Sequence, residues 1–272
     1  PIVIAHVGIG DVQEEAYIQG QRIDLLSAAR RDGKGFEFDL QGWTMSGFDG
    51  NDKLEASVED YEFDLELKPL RPPILHSKDG VLDFEQAGTS YYYSRARQEI
   101  SGNILVRGID YSVSGIGWFD HQWGDFTPMR IGWDWFSLQF SNGTDLMITV
   151  LRDNENESIS RYGTFLQSNG VSSYLTEDEI EVESLDCWVS ELTGISYPVR
   201  WEIKIPRYAI DLVLDSRIPE SEFNSLATTG NHYWEGAVEI SGTHSGKGFV
   251  ELAGYPYPDS SSSEKLSGLC GP

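Results

Sequence analysis

Residues 36–40 read FEFDL, with Phe36, Phe38 and Leu40 on one parity and Glu37 and Asp39 on the other. A period of two matches the alternating faces of extended backbone, so 36–47 is expected to form a half-buried strand. LEASVEDYEFDLELK (54–68) repeats the pattern, placing Tyr61, Phe63, Leu65 and Leu67 on one face and acids on the other. Apolar or alternating stretches recur at 2–9, 90–108, 111–126, 146–153, 159–168, 179–192, 197–206, 209–215, 233–242 and 246–255. Glycine in SGN (101–103) is read as a turn dividing 90–108 into two strands, and SNGTD (141–145) is a hairpin signal. Residues 12–34 look polar and irregular, SRIPESEFN (216–224) looks like a loop, and Pro69, Pro72 and Pro73 open a long connection to Thr89. No helix longer than two turns is evident. Many short strands joined by glycine and asparagine turns predict an all-β chain, built as an antiparallel barrel or a pair of barrel-like sheets.

Charge narrows the choice of partner. The chain of 272 residues has 44 acidic and 20 basic side chains, a formal charge of −24. Such a surface repels phosphate backbones and anionic lipid, so neither nucleic acid nor a membrane surface is an expected partner. No apolar run approaches the ~20 residues of a membrane-spanning helix. The chain opens on PIVIAHVGIGD, without Met and already strand-like, so an earlier segment of the same protein is expected to lie elsewhere. Secreted and cytoplasmic settings both fit: Asn142 and Asn156 stand in Asn-x-Ser/Thr sequons, and Cys187 and Cys270 suit either a disulfide or two free thiols. With no CxxC, a zinc site is not expected.

Chemistry concentrates between Gly115 and Asp153. Trp118, Trp123, Trp133 and Trp135 fall here, together with His121, Asp120, Asp125 and Asp134. Acids and an imidazole among indoles suit an apolar ligand that needs a proton moved. Alternation sets Trp118 and Asp120 on one face and Phe119, His121 and Trp123 on the other; only a bulge near Gly115, Gly117 or Gly124 would let both line one pocket. Trp133 and Trp135 share a face opposite Asp134 and Phe136. No GxSxG, P-loop, HExxH or GxGxxG leading into a helix is present. The acids of 39–66 alternate outward, which argues against a paired-carboxylate glycosidase.

Six segments give the sequence a family likeness: YYYSRAR (91–97), GIGWFDHQWGDF (115–126), GWDWFSLQFSNGTDLMITVLRD (132–153), YPVRWEIKIP (197–206), YWEGAVEISG (233–242) and GFVELAGY (248–255). The chain resembles the lipocalin-like carotenoid 1,2-hydratases (hydroxyneurosporene synthases), a family that includes kievitone hydratase and fungal Diels–Alderases. The resemblance implies two consecutive antiparallel lipocalin-like barrels with a pocket at their junction, and neither metal nor organic cofactor. The barrels are read as 1–110, lacking its first strands, and 111–272. The pair His121-x-Trp123 matches the His-x-Trp pair of the carotenoid enzymes. Their acid in the following strand has no counterpart here, since LMITVLRD holds no carboxylate before Asp153. The scaffold and pocket carry over; the substrate does not.

These readings combine into an enzyme for a lipophilic prenylated, polyene or polyketide-derived compound, catalysing hydration, dehydration or a Diels–Alder-type cyclisation. A non-catalytic carrier is the alternative. His121 and Asp120 are expected as the acid–base pair, with Asp134 or Glu235 as a further polar group. Trp118, Trp123, Trp133, Trp135 and Trp234 are expected as walls, with Tyr92, Arg95 and His6 contacting the ligand. A lone strand histidine such as His6 equally suits a hydrogen-bonded core residue. His232 and His244 lie in loop-like contexts and are expected to be solvated, and His76, in PPILHSKDG, is expected to be a bystander.

Overall fold

The computed structural model describes residues 1–26, 34–77, 79–83, 88–125, 132–153 and 156–258. Among these the regular structure is antiparallel strand, with two short 3-10 turns at Glu177–Glu179 and Pro206–Tyr208. No helix among the described residues is long and apolar enough to cross a membrane.

Three sheets form. Strands β1 (Ile2–Asp11) and β2 (Ala16–Leu25) make a hairpin in register from Ile2↔Leu25 to Asp11↔Ala16. The second sheet is a meander of β3 (Phe36–Leu40), β4 (Trp43–Phe48), β5 (Asn51–Val58), β6 (Tyr61–Pro69), β9 (Thr89–Val106) and β10 (Ile109–Gly124). Two short strands, β7 (Ile74–Leu75) and β8 (Val81–Asp83), pair with the first half of β9. The third sheet has the order β14-β13-β12-β11-β20-β19-β17-β16-β15. Its strands are β11 (Gly132–Phe140), β12 (Asp145–Arg152), β13 (Ser158–Leu166), β14 (Ser172–Leu175), β15 (Glu181–Val189), β16 (Ser196–Ile205), β17 (Ile210–Ser216), β19 (His232–Gly242) and β20 (Gly246–Ala253). A three-residue strand, β18 (Glu222–Asn224), pairs with β19.

The predicted all-β class holds, and the alternation works locally as expected. Glu62, Asp64 and Glu66 face water while Tyr61 and Leu67 are buried. Several boundaries differ from the sequence reading. Both alternating segments fold back on themselves: Gln41–Gly42 separates β3 from β4, and Glu59–Asp60 separates β5 from β6. At Arg107–Gly108 both residues take positive φ, +50° and +82°, the geometry a two-residue hairpin needs. Gly102 makes no turn. Its neighbours pair on both sides, Gly102↔Leu65 and Val113↔Gly102, so β9 runs unbroken for 18 residues. A side chain there would place Cβ 2.0 Å from the carbonyl oxygen of Asp64, so glycine permits close strand approach.

Residues 16–25, expected to be irregular, form β2. Their pattern is obscured because the polar parity is buried against other chain segments. Gln19 donates to Glu222 O (3.2 Å) and accepts from Asn224 N (2.6 Å), while Gln21 donates to Asn224 O (2.7 Å). The other parity, including Ile18, packs with Trp43, Ala56, Val58 and Tyr61. The hairpin therefore bridges the second sheet and β18.

The third sheet curls around its own core, with Phe136, Leu138, Ile148, Trp201, Leu212, Trp234, Val250 and Leu252 at its centre. The opposite face of β12 and β13 meets β9, where Tyr92, Met147 and Tyr162 pack with Trp118 and Trp135. A buried carboxylate pins the far end of this contact: Asp145 receives Arg71 Nη1 at 2.9 Å and Arg97 Nε at 2.8 Å. Strand β10 pairs with β9 along almost its whole length, so the change of sheet falls after Gly124. The division at residue 110 read from the sequence would split that pair.

Candidate functional site

The inner site begins with a register. In the β19–β20 hairpin, Glu235 stands directly opposite Glu251. Their neighbours Trp234, Val250 and Leu252 point into the packed barrel core, so both carboxylates project from the other face of the sheet. Strand β11 lies beside β20 with Trp133 and Trp135 on that same face, and Trp133 Nε1 donates to Glu251 Oε1 at 3.1 Å. Burial raises the Glu235 carboxyl to about 8, with the charge of Glu251 adding to the effect. Burial likewise raises Glu251 to about 7, the Trp133 bond pulling it back and the charge of Asp120 pushing it up. Like charges directly opposite one another repel, so the pair retains a proton at neutral pH.

Tyr17 from β2 and Tyr233 from β19 complete this side. Both hydroxyls are raised by burial first and by the charge of Glu235 next; Glu251 adds to both, and Tyr17 adds to Tyr233. The Tyr17 hydroxyl is buried and has no hydrogen-bond partner among the described residues. His6 fixes Tyr233: its Nδ1 lies 2.9 Å from the tyrosine hydroxyl, its Nε2 lies 2.7 Å from Thr228 Oγ1, and its ring stacks on Phe223.

Asp120 comes from the opposing sheet. Trp118 Nε1 donates to its Oδ1 at 3.0 Å, Ser94 Oγ donates to the same oxygen, and the Tyr92 hydroxyl bonds to it as well. Burial lifts this carboxyl to about 6 against those three bonds. Trp135 Nε1 donates to the Tyr92 hydroxyl at 2.9 Å, and the Trp118 and Trp135 rings meet edge-on at 6.3 Å. Indole and phenol thus join the two sheets beside the carboxylate. Asp120, Glu235, Glu251, Tyr17, Tyr233 and the indoles of 118, 133 and 135 all keep part of their surface accessible. These groups are desolvated by their surroundings yet not closed over by packing.

The structure separates residues that the sequence reading grouped. Asp120 and His121 lie on opposite faces of β10. A bulge does occur, between Gly117 and Phe119, but it precedes the pair and leaves 119–124 in regular alternation. His121 is exposed and forms an outer aromatic ladder with Tyr93 (5.4 Å) and Trp123 (4.5 Å), and Trp123 stacks on Tyr91. Arg95 shares that outer face, over the Tyr93 ring. Asp134 points into the barrel, where Arg152 Nη2 (2.8 Å) and the Tyr255 hydroxyl (3.0 Å) hold it beside a cavity of 160 Å³. Burial dominates its pKa, which is raised despite the arginine. Trp234 is fully buried and donates to Pro219 O at 2.7 Å, so it is barrel core rather than wall.

Brought together are Asp120, Glu235, Trp118, Trp133, Trp135 and Tyr92, with His6 behind Tyr233. Sequence reasoning did not single out Glu251, Tyr17, Tyr233 or Ser94. A signal for Glu251 exists: in GFVELAGY it is the lone charge between Val250 and Leu252, as Glu235 is between Trp234 and Gly236. His232 is buried, not solvated, with Nδ1 2.7 Å from the Tyr257 hydroxyl, and His76 is buried as well. Cys187 is described, but Cys270 lies outside the described residues, as does the rest of the tail from 259.

An all-β scaffold of curled antiparallel sheets, with carboxylates and indoles gathered where two sheets face each other, is a lipocalin-like architecture. The chain belongs to the AttH-like family, whose profile matches residues 1–255. It superposes on a crystal structure described as an AttH from Nitrosomonas europaea with a TM-score of 0.84 and 27% identity, covering 94% of this chain and 82% of that one. Kievitone hydratase from Nectria haematococca shares the fold, with a TM-score of 0.78 at 17% identity over 94% of this chain and 81% of its own. A curated relative, the dehydratase asqC of Emericella nidulans, is 24% identical over 224 residues, 77% of this chain. The match spans 60% of that relative's length. The resemblance read from the motifs is borne out at the level of family and fold.

Proposed function

We propose that the protein removes water from, or adds it to, a lipophilic small molecule held in a hollow between the two sheets. The observation that carries this reading is the separation of acid from base. Asp120, raised only to about 6, is mainly ionised at neutral pH, while Glu235, raised to about 8, is mainly protonated. Carboxyl groups pushed apart in this way, on opposite walls of one site, suit the two halves of a dehydration. Asp120 takes the proton from carbon. The Glu235–Glu251 pair gives a proton to the departing hydroxyl, which leaves as water, and the carbon–carbon double bond forms. Hydration runs the same steps backwards. Trp118, Trp133 and Trp135 supply apolar walls, and their faces steady positive charge developing at an allylic or benzylic carbon. Tyr17 and Tyr233 are neutral donors for a substrate carbonyl or hydroxyl.

The names of the relatives support this reading, since one is called a dehydratase and another a hydratase. A Diels–Alder-type cyclisation asks only for a shaped apolar cavity and one hydrogen-bond donor. Two opposed sets of carboxyl groups exceed that need, which favours water transfer. The test is turnover of a panel of lipophilic allylic and benzylic alcohols, followed by mass spectrometry for loss of one water. Asp120→Asn and Glu235→Gln are each expected to cut the rate by about 10²-fold or more. The wild-type profile should be bell-shaped, rising through about 6 as Asp120 ionises and falling through about 8 as the pair loses its proton. A carrier would bind the panel unchanged and convert none of it.

A further inference from the structure

A surface cleft is linked to Asp120 through a short chain of hydrogen bonds. The segment at 71–77 and the β13–β14 hairpin enclose a cleft of 620 Å³, whose lining includes Ile74, Ser77, Thr164 and Tyr174. Thr164 Oγ1 lies 3.0 Å from His76 Nδ1. On the other side of the ring, His76 Nε2 lies 2.6 Å from Ser94 Oγ. Ser94 Oγ in turn donates to Asp120 Oδ1. His76 and Ser94 have no accessible surface at all.

We propose that Thr164, His76, Ser94 and Asp120 form a proton relay between the cleft and the interior hollow. The proposal rests on the assignment of Asp120 as the proton-accepting carboxylate, and it adds the route by which that proton leaves. Each member can both donate and accept a hydrogen bond, Asp120 once it is protonated, as a relay requires. Burial holds the His76 imidazole far below its ordinary value, to about 3, so it stays neutral and passes a proton by exchanging tautomers. The ring is clamped for this. Tyr92 packs on it at 4.1 Å, its backbone N donates to Tyr92 O, and its carbonyl accepts from Gly80 N.

The balance over one dehydration shows what the relay does. Asp120 ends with one proton too many, taken from carbon, and the Glu235–Glu251 pair ends with one too few, given to the departing water. While a ligand fills the hollow, Asp120 is cut off from solvent on that side. The relay lets its proton reach water in the cleft, and the carboxylate pair takes one up after product leaves. Because His76 acts through Ser94 and touches no reacting atom, it is a positioning residue.

The geometry fixes the sense of each state. With Asp120 ionised, Ser94 donates to it and accepts from His76, which is then the Nε2–H tautomer. With Asp120 protonated and donating, Ser94 turns to donate to Nε2, and His76 carries its proton on Nδ1 toward Thr164. Other titratable groups facing Asp120 are Tyr92, Tyr162 and Glu251, and Tyr174 faces Tyr162. The tyrosines stay neutral throughout.

The experiment is ¹⁵N NMR of the full chain labelled at histidine, titrated without any ligand. The expected result is a change from mostly Nε2–H to mostly Nδ1–H at His76 as pH falls, with no imidazolium signal. Its midpoint coincides with the Asp120 carboxyl titration read by infrared difference against Asp120→Asn. Ser94→Ala is expected to abolish the tautomer change while Asp120 still titrates, and Asp120→Asn to abolish both. A His76 tautomer that does not respond to Asp120, or a response that survives Ser94→Ala, overturns the relay. Because no substrate is used, this outcome is separate from the fate of the dehydration reading. A relay that switches while Asp120→Asn retains full turnover would sink that reading alone.

Discussion

Glu235→Gln is expected to stabilise the protein, and to do so only at neutral and alkaline pH. In the fold Glu235 holds its proton up to about 8, against an ordinary value of 4.5. A folded-state pKa raised above that of the unfolded chain contributes stability that is complete below 4.5 and is lost as pH rises through the folded value. At ~1.4 kcal/mol for each tenfold change, forcing this carboxyl to ionise inside the fold costs about 5 kcal/mol by pH 8. That figure is a ceiling, because Glu251 across the strand titrates with it and shares the penalty. Glutamine keeps the shape and carries no charge, so it recovers roughly half, about 2–3 kcal/mol. For a chain of this length that is a rise in Tm of about 5–10 °C at pH 8, shrinking toward zero at pH 5. Thermal unfolding of both proteins, followed by circular dichroism across that range, measures it. Parallel Tm curves, with a constant gap at every pH, would refute the claim that this carboxyl is held protonated by its surroundings.

Two further substitutions separate site from scaffold. His121→Ala, on the exposed outer face, is expected to leave turnover within about twofold and stability within about 0.5 kcal/mol, measured by steady-state kinetics and urea unfolding. A loss of 10²-fold would return the imidazole to the mechanism. Arg152→Met strips the buried Asp134 of its cation and should cost about 3–5 kcal/mol. The limits of the bell-shaped rate profile should stay unmoved, because Asp134 faces the barrel core.

Strand parity made much of this site legible, and the same parity explains what was not. The faces of β10 and β11 follow directly from alternation, so Trp118 with Asp120, and Trp133 with Trp135, fall where the sequence puts them. Alternation does not say which face of a strand meets another sheet. On β10 both faces are aromatic: Trp118 points inward, while Phe119 and Trp123 build a ladder on the outside. A rule that sends aromatic side chains to the interior has no means of choosing between them, and a motif centred on His121 pulls the choice the wrong way. On β11 and β19 the difficulty is reversed. Both faces are covered, one by the barrel core and one by the opposing sheet, so Asp134 and Trp234 look as site-like as Trp133 and Glu235. The distinction rests on what each acid meets. Asp134 finds a full-time cation in Arg152, whereas Glu235 and Glu251 find each other. Two carboxylates placed opposite across a hairpin cost stability unless something is done with the proton they share. Their register can be counted from the turn, since Gly246 returns opposite Ile240. His76 offers no such handle. It sits in a proline-rich polar stretch, and its partners Ser94 and Thr164 lie 18 and 88 residues away, so only the packing of β9 against β13 makes it part of anything.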